Sequence, residues 1–114
     1  LSNRLPFADV KNAAGQFITA DLKSVTAAAG SATFAQDTDY RVSITNAPGA
    51  DAYPIASFTW LLIKPSLADP VKAKHVNDFL KWMLAPEAQR IAADMDYAPL
   101  PVSLIQMLQK RVGA

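Results

Sequence analysis

The sequence predicts an α/β chain, with strands in its first half and helices dominating its last half. Three observations carry that reading. Tyr40-Arg41-Val42-Ser43-Ile44-Thr45 alternates, with Val42 and Ile44 on one side and Arg41, Ser43 and Thr45 on the other, the period of a strand with one wet face. Ser57-Phe58-Thr59-Trp60-Leu61-Leu62-Ile63 becomes continuously apolar towards its end, as a central strand covered on both faces does. Val71, His75, Phe79 and Met83 then recur at four-residue steps, the spacing of one helix face.

In chain order, Leu5 to Lys11 reads as extended, because Pro6 opposes a helix. Asn12-Ala13-Ala14-Gly15 is a turn and Gln16 to Thr19 a short second strand, so the two form a hairpin-like excursion. A helix is expected from Asp21 to Ala29, capped by Thr19 or Asp21, with Gly30 in the left-handed position that often ends a helix. After the Tyr40–Thr45 strand, Asn46 to Asp51 forms a loop, and Pro54 holds Ala52 to Ile55 extended. Asp69-Pro70 starts a helix with proline at its permitted first turn, and Val76 and Leu80 flank its apolar stripe. Pro86 restarts the chain as a second helix through Ala88, Ile91 and Ala92. Ala98-Pro99-Leu100-Pro101 is an extended break. A last helix runs from Val102 to Val112, with Lys110 and Arg111 favourably placed at its C-terminus.

Composition excludes several classes. The 114 residues allow one small domain at most, and one modest core. Eleven basic against ten acidic side chains give +1, too little to attract a nucleic-acid backbone or an anionic membrane. Without cysteine there is no disulfide, thiolate metal site or thiol catalysis. The longest apolar run, Trp60 to Ile63, stops at Lys64, far short of a membrane span. The chain opens on Leu1 with no charged-then-apolar leader, so it is expected to start after a cut.

No residue pattern points to catalysis or a cofactor. His75 is the single histidine, and without HExxH spacing or a second metal-type residue it reads as the border of a packed helix face. Asp37/Asp39 and Asp94/Asp96 sit at turns or helix ends, where aspartate serves local hydrogen bonding. Four glycines, in neither a GxGxxG nor a GxxxxGK[ST] arrangement, supply no nucleotide cradle. Arg41, Ser43 and Thr45 could hold an oxyanion with forked and directed donors, although the solvent face of an edge strand is the plainer reading. Trp60, Phe79 and Trp82 could line an apolar pocket, but such aromatics are usually core. A small hydrolase using Ser57 and His75 would need the two side chains within hydrogen-bond reach.

The stretch Asn46 to Ile63, with Gly49-Ala50-Asp51-Ala52-Tyr53-Pro54-Ile55 at its centre, resembles one family, as do Phe79 to Met83 and Asp96-Tyr97-Ala98-Pro99-Leu100-Pro101. All are similar to the C-terminal part of the periplasmic phosphate-binding protein of the phosphate ABC transporter, and Leu5 to Gly30 is similar to what precedes those motifs there. The resemblance implies an incomplete portion of a two-lobed type II periplasmic-binding-protein fold. Residues 1–56 would end the second lobe, and residues 57–114 would supply a return strand and C-terminal helices of the first. It implies a binding protein and not an enzyme, with inorganic phosphate and the membrane permease as partners of the full-length parent and a periplasmic or extracytoplasmic location; the unclustered charges and missing motifs predict no nucleic acid and no cofactor. The family's ligand motifs match no position here, so no ligand-binding residue is carried over and phosphate binding by this chain alone is not expected. The alternative is a stand-alone structural or oligomerisation module. The apolar Ser57–Ile63 strand wants neighbours on both edges, which predicts a homo-oligomer or strand exchange.

Overall fold

The computed structural model describes residues 5–35, 38–64 and 66–113. Its first element is the expected hairpin, in which β1 (Val10–Lys11) pairs antiparallel with β2 (Phe17–Ile18), Val10 opposite Ile18 and Lys11 opposite Phe17. The turn closes through Gly15 N–H donating to the Asn12 carbonyl at 2.9 Å, with Gly15 at φ 82°, a backbone that suits glycine.

Helix α1 (Leu22–Gly30) starts where a good cap stands. The Asp21 carboxylate accepts the Ser24 N–H at 2.6 Å, and the Ser24 hydroxyl accepts the Asp21 N–H at 3.1 Å, a reciprocal capping box. Of the two expected caps, Asp21 is the one used. The expected left-handed Gly30 is not found: Gly30 is the last helical residue and the helix ends on Ser31 in a right-handed conformation. Three carbonyls of the last turn lie within reach of the Ser31 N–H, and its hydroxyl donates to Ala27 O, so the turn closes without a left-handed residue.

The Tyr40–Thr45 segment is not a strand. Tyr40 and Asn46 lie at φ 63° and 52°, which breaks the extended path at both ends. Between them the donors are satisfied locally: Val42 N–H by Tyr40 O, Arg41 N–H by the Asp39 carboxylate, and Thr45 N–H by Ser43 Oγ. The alternation nonetheless sorts the side chains as read, with Ile44 2% exposed and Val42 half-buried, while Arg41, Ser43 and Thr45 face solvent.

Ile44 is the largest side chain that is fully buried, and five alanines surround it: Ala28, Ala29, Ala47, Ala52 and Ala56. Small residues let the 44–56 loop lie against α1, where Tyr53 N–H donates to Ser24 O at 3.1 Å. Gly49 belongs to the same close approach, since a Cβ there would overlap the Ser31 hydroxyl.

The helical half follows its expected boundaries closely. Helix α2 (Pro70–Met83) is capped by Asp69, whose carboxylate accepts from Val71 and Lys72. Helix α3 (Pro86–Asp94) begins at its proline, and α4 (Val102–Val112) ends on left-handed Gly113 with Lys110 and Arg111 in its last turn. The α2 stripe needs correction, because Val71, His75 and Phe79 are exposed, and the sheltered side carries Val76, Leu80 and Met83. Gln89 bolts this half together. Its amide nitrogen donates to Met83 O and its amide oxygen accepts the Leu100 N–H, each at 2.8 Å. Thr26 in turn donates to Pro99 O at 2.8 Å, joining α1 to the segment before α4.

Ser57–Ile63 is the largest departure from expectation. Among the described residues its backbone makes no backbone hydrogen bond, and Leu61, Leu62 and Ile63 are 52, 92 and 48% exposed. The two-stranded hairpin is the one sheet among the described residues, and none of them supplies a neighbouring strand to this segment.

Candidate functional site

The polar face around Arg41 is where an anion site was most plausible. The guanidinium Nε donates to Asp39 Oδ2 at 2.7 Å and a second nitrogen reaches the same oxygen. The pairing raises the Arg41 pKa, and the arginine's side-chain and backbone donors hold Asp39 below its ordinary value. The charge is thus already answered by a neighbouring carboxylate, which would have to be displaced before an oxyanion could use the fork. The two hydroxyls are also committed locally: Ser43 accepts from Thr45 N–H, and Thr45 Oγ1 donates to Ala56 O at 3.4 Å. The three side chains share a face without converging on a point.

Other candidates are likewise apart. His75 is exposed on α2, and Ser57 donates to the Phe58 carbonyl and not to an imidazole, so no nucleophile–base pair is assembled. Asp94 ends α3 and Asp96 follows in a left-handed conformation, both exposed. Asp37 lies outside the described residues, so the Asp37/Asp39 pair is represented by Asp39 alone. The N-termini of α1 and α2, natural places for an anion, are filled by the chain's own carboxylates, Asp21 and Asp69. No cluster of metal-type side chains occurs among the described residues, and no described helix is long and apolar enough to cross a membrane.

The most developed concavity is apolar. A groove of about 600 Å³ runs between the 58–63 segment and the helices, with Phe58 and Trp60 on one wall and Leu80, Met83, Leu104 and Leu108 on the other. An aromatic chain braces its rim. Phe34 meets Tyr40 and Phe58 at ring centroids 5.8 and 6.2 Å apart, Phe58 meets Trp60 at 6.2 Å, and Trp60 Nε1 donates to Tyr40 O at 2.9 Å. Of the three aromatics expected to line a pocket, Trp60 does so. Phe79 and Trp82 instead stack on each other at 5.9 Å, both about half exposed. Asp39 and Arg111 are the charged residues of the groove, too few for a dehydrated anion.

Sequence reasoning missed one polar residue of consequence. Asn12 is 6% exposed, and its amide nitrogen lies 3.3, 2.7 and 3.2 Å from the carbonyls of Gly49, Ala50 and Ala52, while its oxygen accepts the Gln16 N–H. An asparagine opening a turn is so ordinary that no local signal marks it as a clamp on a loop some forty residues away.

No family model matches the chain. It is 32% identical over 109 residues to the phosphate-binding protein PstS of Xylella fastidiosa, covering 96% of this chain and 30% of the relative. Proteins of the same name from Pasteurella multocida and Haemophilus influenzae are 32% identical over 107 residues and 28% over 109. The chain spans about a third of the length of the curated relatives it matches.

Proposed function

We propose that this chain, related over 96% of its length to phosphate-binding proteins, is a scaffold portion of the phosphate-binding component of an ABC-type importer and holds no anion by itself. The matched length supports the relationship, and the Arg41–Asp39 pair carries the second half of the statement, because the most plausible anion-binding cation is already neutralised within the chain. In this reading residues 1–56 complete a second lobe and residues 57–114 a first, in a type II solute-binding fold. Inorganic phosphate and a membrane permease are partners of the full-length parent outside the cytoplasmic membrane, and the chemistry is binding and not catalysis.

The test is calorimetric titration of the 114-residue chain with phosphate, sulfate serving as control. No heat of binding is expected with either. Saturable, phosphate-selective heat would overturn the scaffold reading, and its loss in Arg41→Ala would locate the site. A second reading, a stand-alone structural or oligomerisation module, is favoured by Ser57–Ile63, whose backbone makes no backbone hydrogen bond among the described residues.

A further inference from the structure

The Asp39 carboxylate accepts both the Arg41 backbone N–H, at 3.1 Å, and its Nε–H, at 2.7 Å. Arg41 is 78% exposed, so this carboxylate and not burial keeps the guanidinium from anions in solution. An aspartate grips the residue two places on only when the backbone between them turns. The residue between them is Tyr40, at φ 63°, a conformation that a bulky side chain holds only when its surroundings impose it.

Within the turn, Tyr40 N–H donates to Thr38 Oγ1 and Val42 N–H to Tyr40 O, each at 2.9 Å. Two further contacts come from outside it. Phe34 packs against the Tyr40 ring, centroids 5.8 Å apart, and Trp60 Nε1 donates to the Tyr40 carbonyl at 2.9 Å. Phe34 and Trp60 also both meet Phe58, so the four aromatics close a ring of contacts beside the turn.

We propose that Trp60 is a positioning residue for Arg41: by holding Tyr40 in its left-handed backbone, it keeps the guanidinium folded onto Asp39 and closed to oxyanions such as phosphate. The place of the 57–63 segment, which carries the indole, then decides whether Arg41 is paired or open. When the indole withdraws, Tyr40 returns to negative φ and the Asp39 and Arg41 side chains point apart. A pair this exposed has little energy of its own to hold them together. The inference rests on the reading above, in which Asp39 withholds Arg41, and adds what keeps the two in place. With the boundary proposed there between residues 56 and 57, turn and indole belong to different lobes, so the contact couples Arg41 to their relative placement.

The test is nuclear magnetic resonance on the isotope-labelled full-length parent, with residues numbered as here. In the wild type the Trp60 indole N–H is expected to exchange roughly fivefold more slowly than in an unstructured peptide, the worth of one net hydrogen bond. Coupling constants at residue 40 should report positive φ. Trp60→Phe keeps a ring against Phe58 and removes the donor, and should speed exchange of the Arg41 Nε–H by about the same factor. Adding Tyr40→Asn supplies a residue that enters the left-handed region unaided, and should slow that exchange again. An indole that exchanges as in an unstructured peptide, negative φ at residue 40, an Arg41 Nε–H indifferent to Trp60→Phe, or no rescue by Tyr40→Asn would each overturn the proposal. The wild-type readouts need no variant and none of them needs phosphate, so the proposal fails separately from the binding reading.

Discussion

Asn12 concentrates the chemistry that a single side chain can contribute to this fold. Its amide donates towards three carbonyls of the 49–52 loop from a nearly buried position, so hairpin and loop are held through one group. Asn12→Asp keeps the shape and removes the donor, placing a carboxylate oxygen against those carbonyls. It is expected to lower unfolding stability by about 2–3 kcal/mol, more than Asn12→Ala, as read from urea midpoints. Arg41 teaches the opposite lesson. Its residue type and its face were legible in the alternation of Tyr40–Thr45, but its availability was not, because Asp39 two residues earlier takes the guanidinium. Both partners are well exposed, so the pair matters for anion chemistry and little for stability.

Among the elements, helices were readable nearly to the residue because their signals are local. Asp21 and Asp69 cap, Pro70 and Pro86 open, and Lys110 and Arg111 close, each acting within one turn. The α1 cap carries a pH dependence. The Ser24 N–H, and next its hydroxyl, hold Asp21 below the ordinary aspartate value, so its contribution is present above that value and lost as the pH falls through the lowered one. Asp21→Ala should therefore cost about 1 kcal/mol at neutral pH, and the gap between wild type and variant should close in strong acid. Parallel thermal melts at pH 7 and in acid check this. Strands were less readable, since a strand needs a neighbour that its own residues cannot supply. Val10–Lys11 and Phe17–Ile18 found each other across a four-residue turn and a flanking glutamine, whereas Tyr40–Thr45 and Ser57–Ile63 found no strand among the described residues.

For the whole molecule, the physical problem is surface. A radius of gyration of 15.9 Å exceeds the roughly 13 Å of a compact chain this long, in keeping with an alanine-rich core around one isoleucine. The sequence by itself determined the helices, the hairpin, the inward direction of Ile44 and the relationship to phosphate-binding proteins, because these rest on local spacing and on residue identity in order. The structure decided that Gly30 ends no helix in a left-handed turn, that Asn12 spans to the 49–52 loop, that Arg41 is spoken for, and that Ser57–Ile63 meets no strand among the described residues. The Asn12 clamp and the unpaired segment depend on which distant group arrives to satisfy a donor or complete a ladder, whereas Arg41 and Gly30 are settled by near neighbours, Asp39 and Ser31, whose geometry residue type alone does not fix.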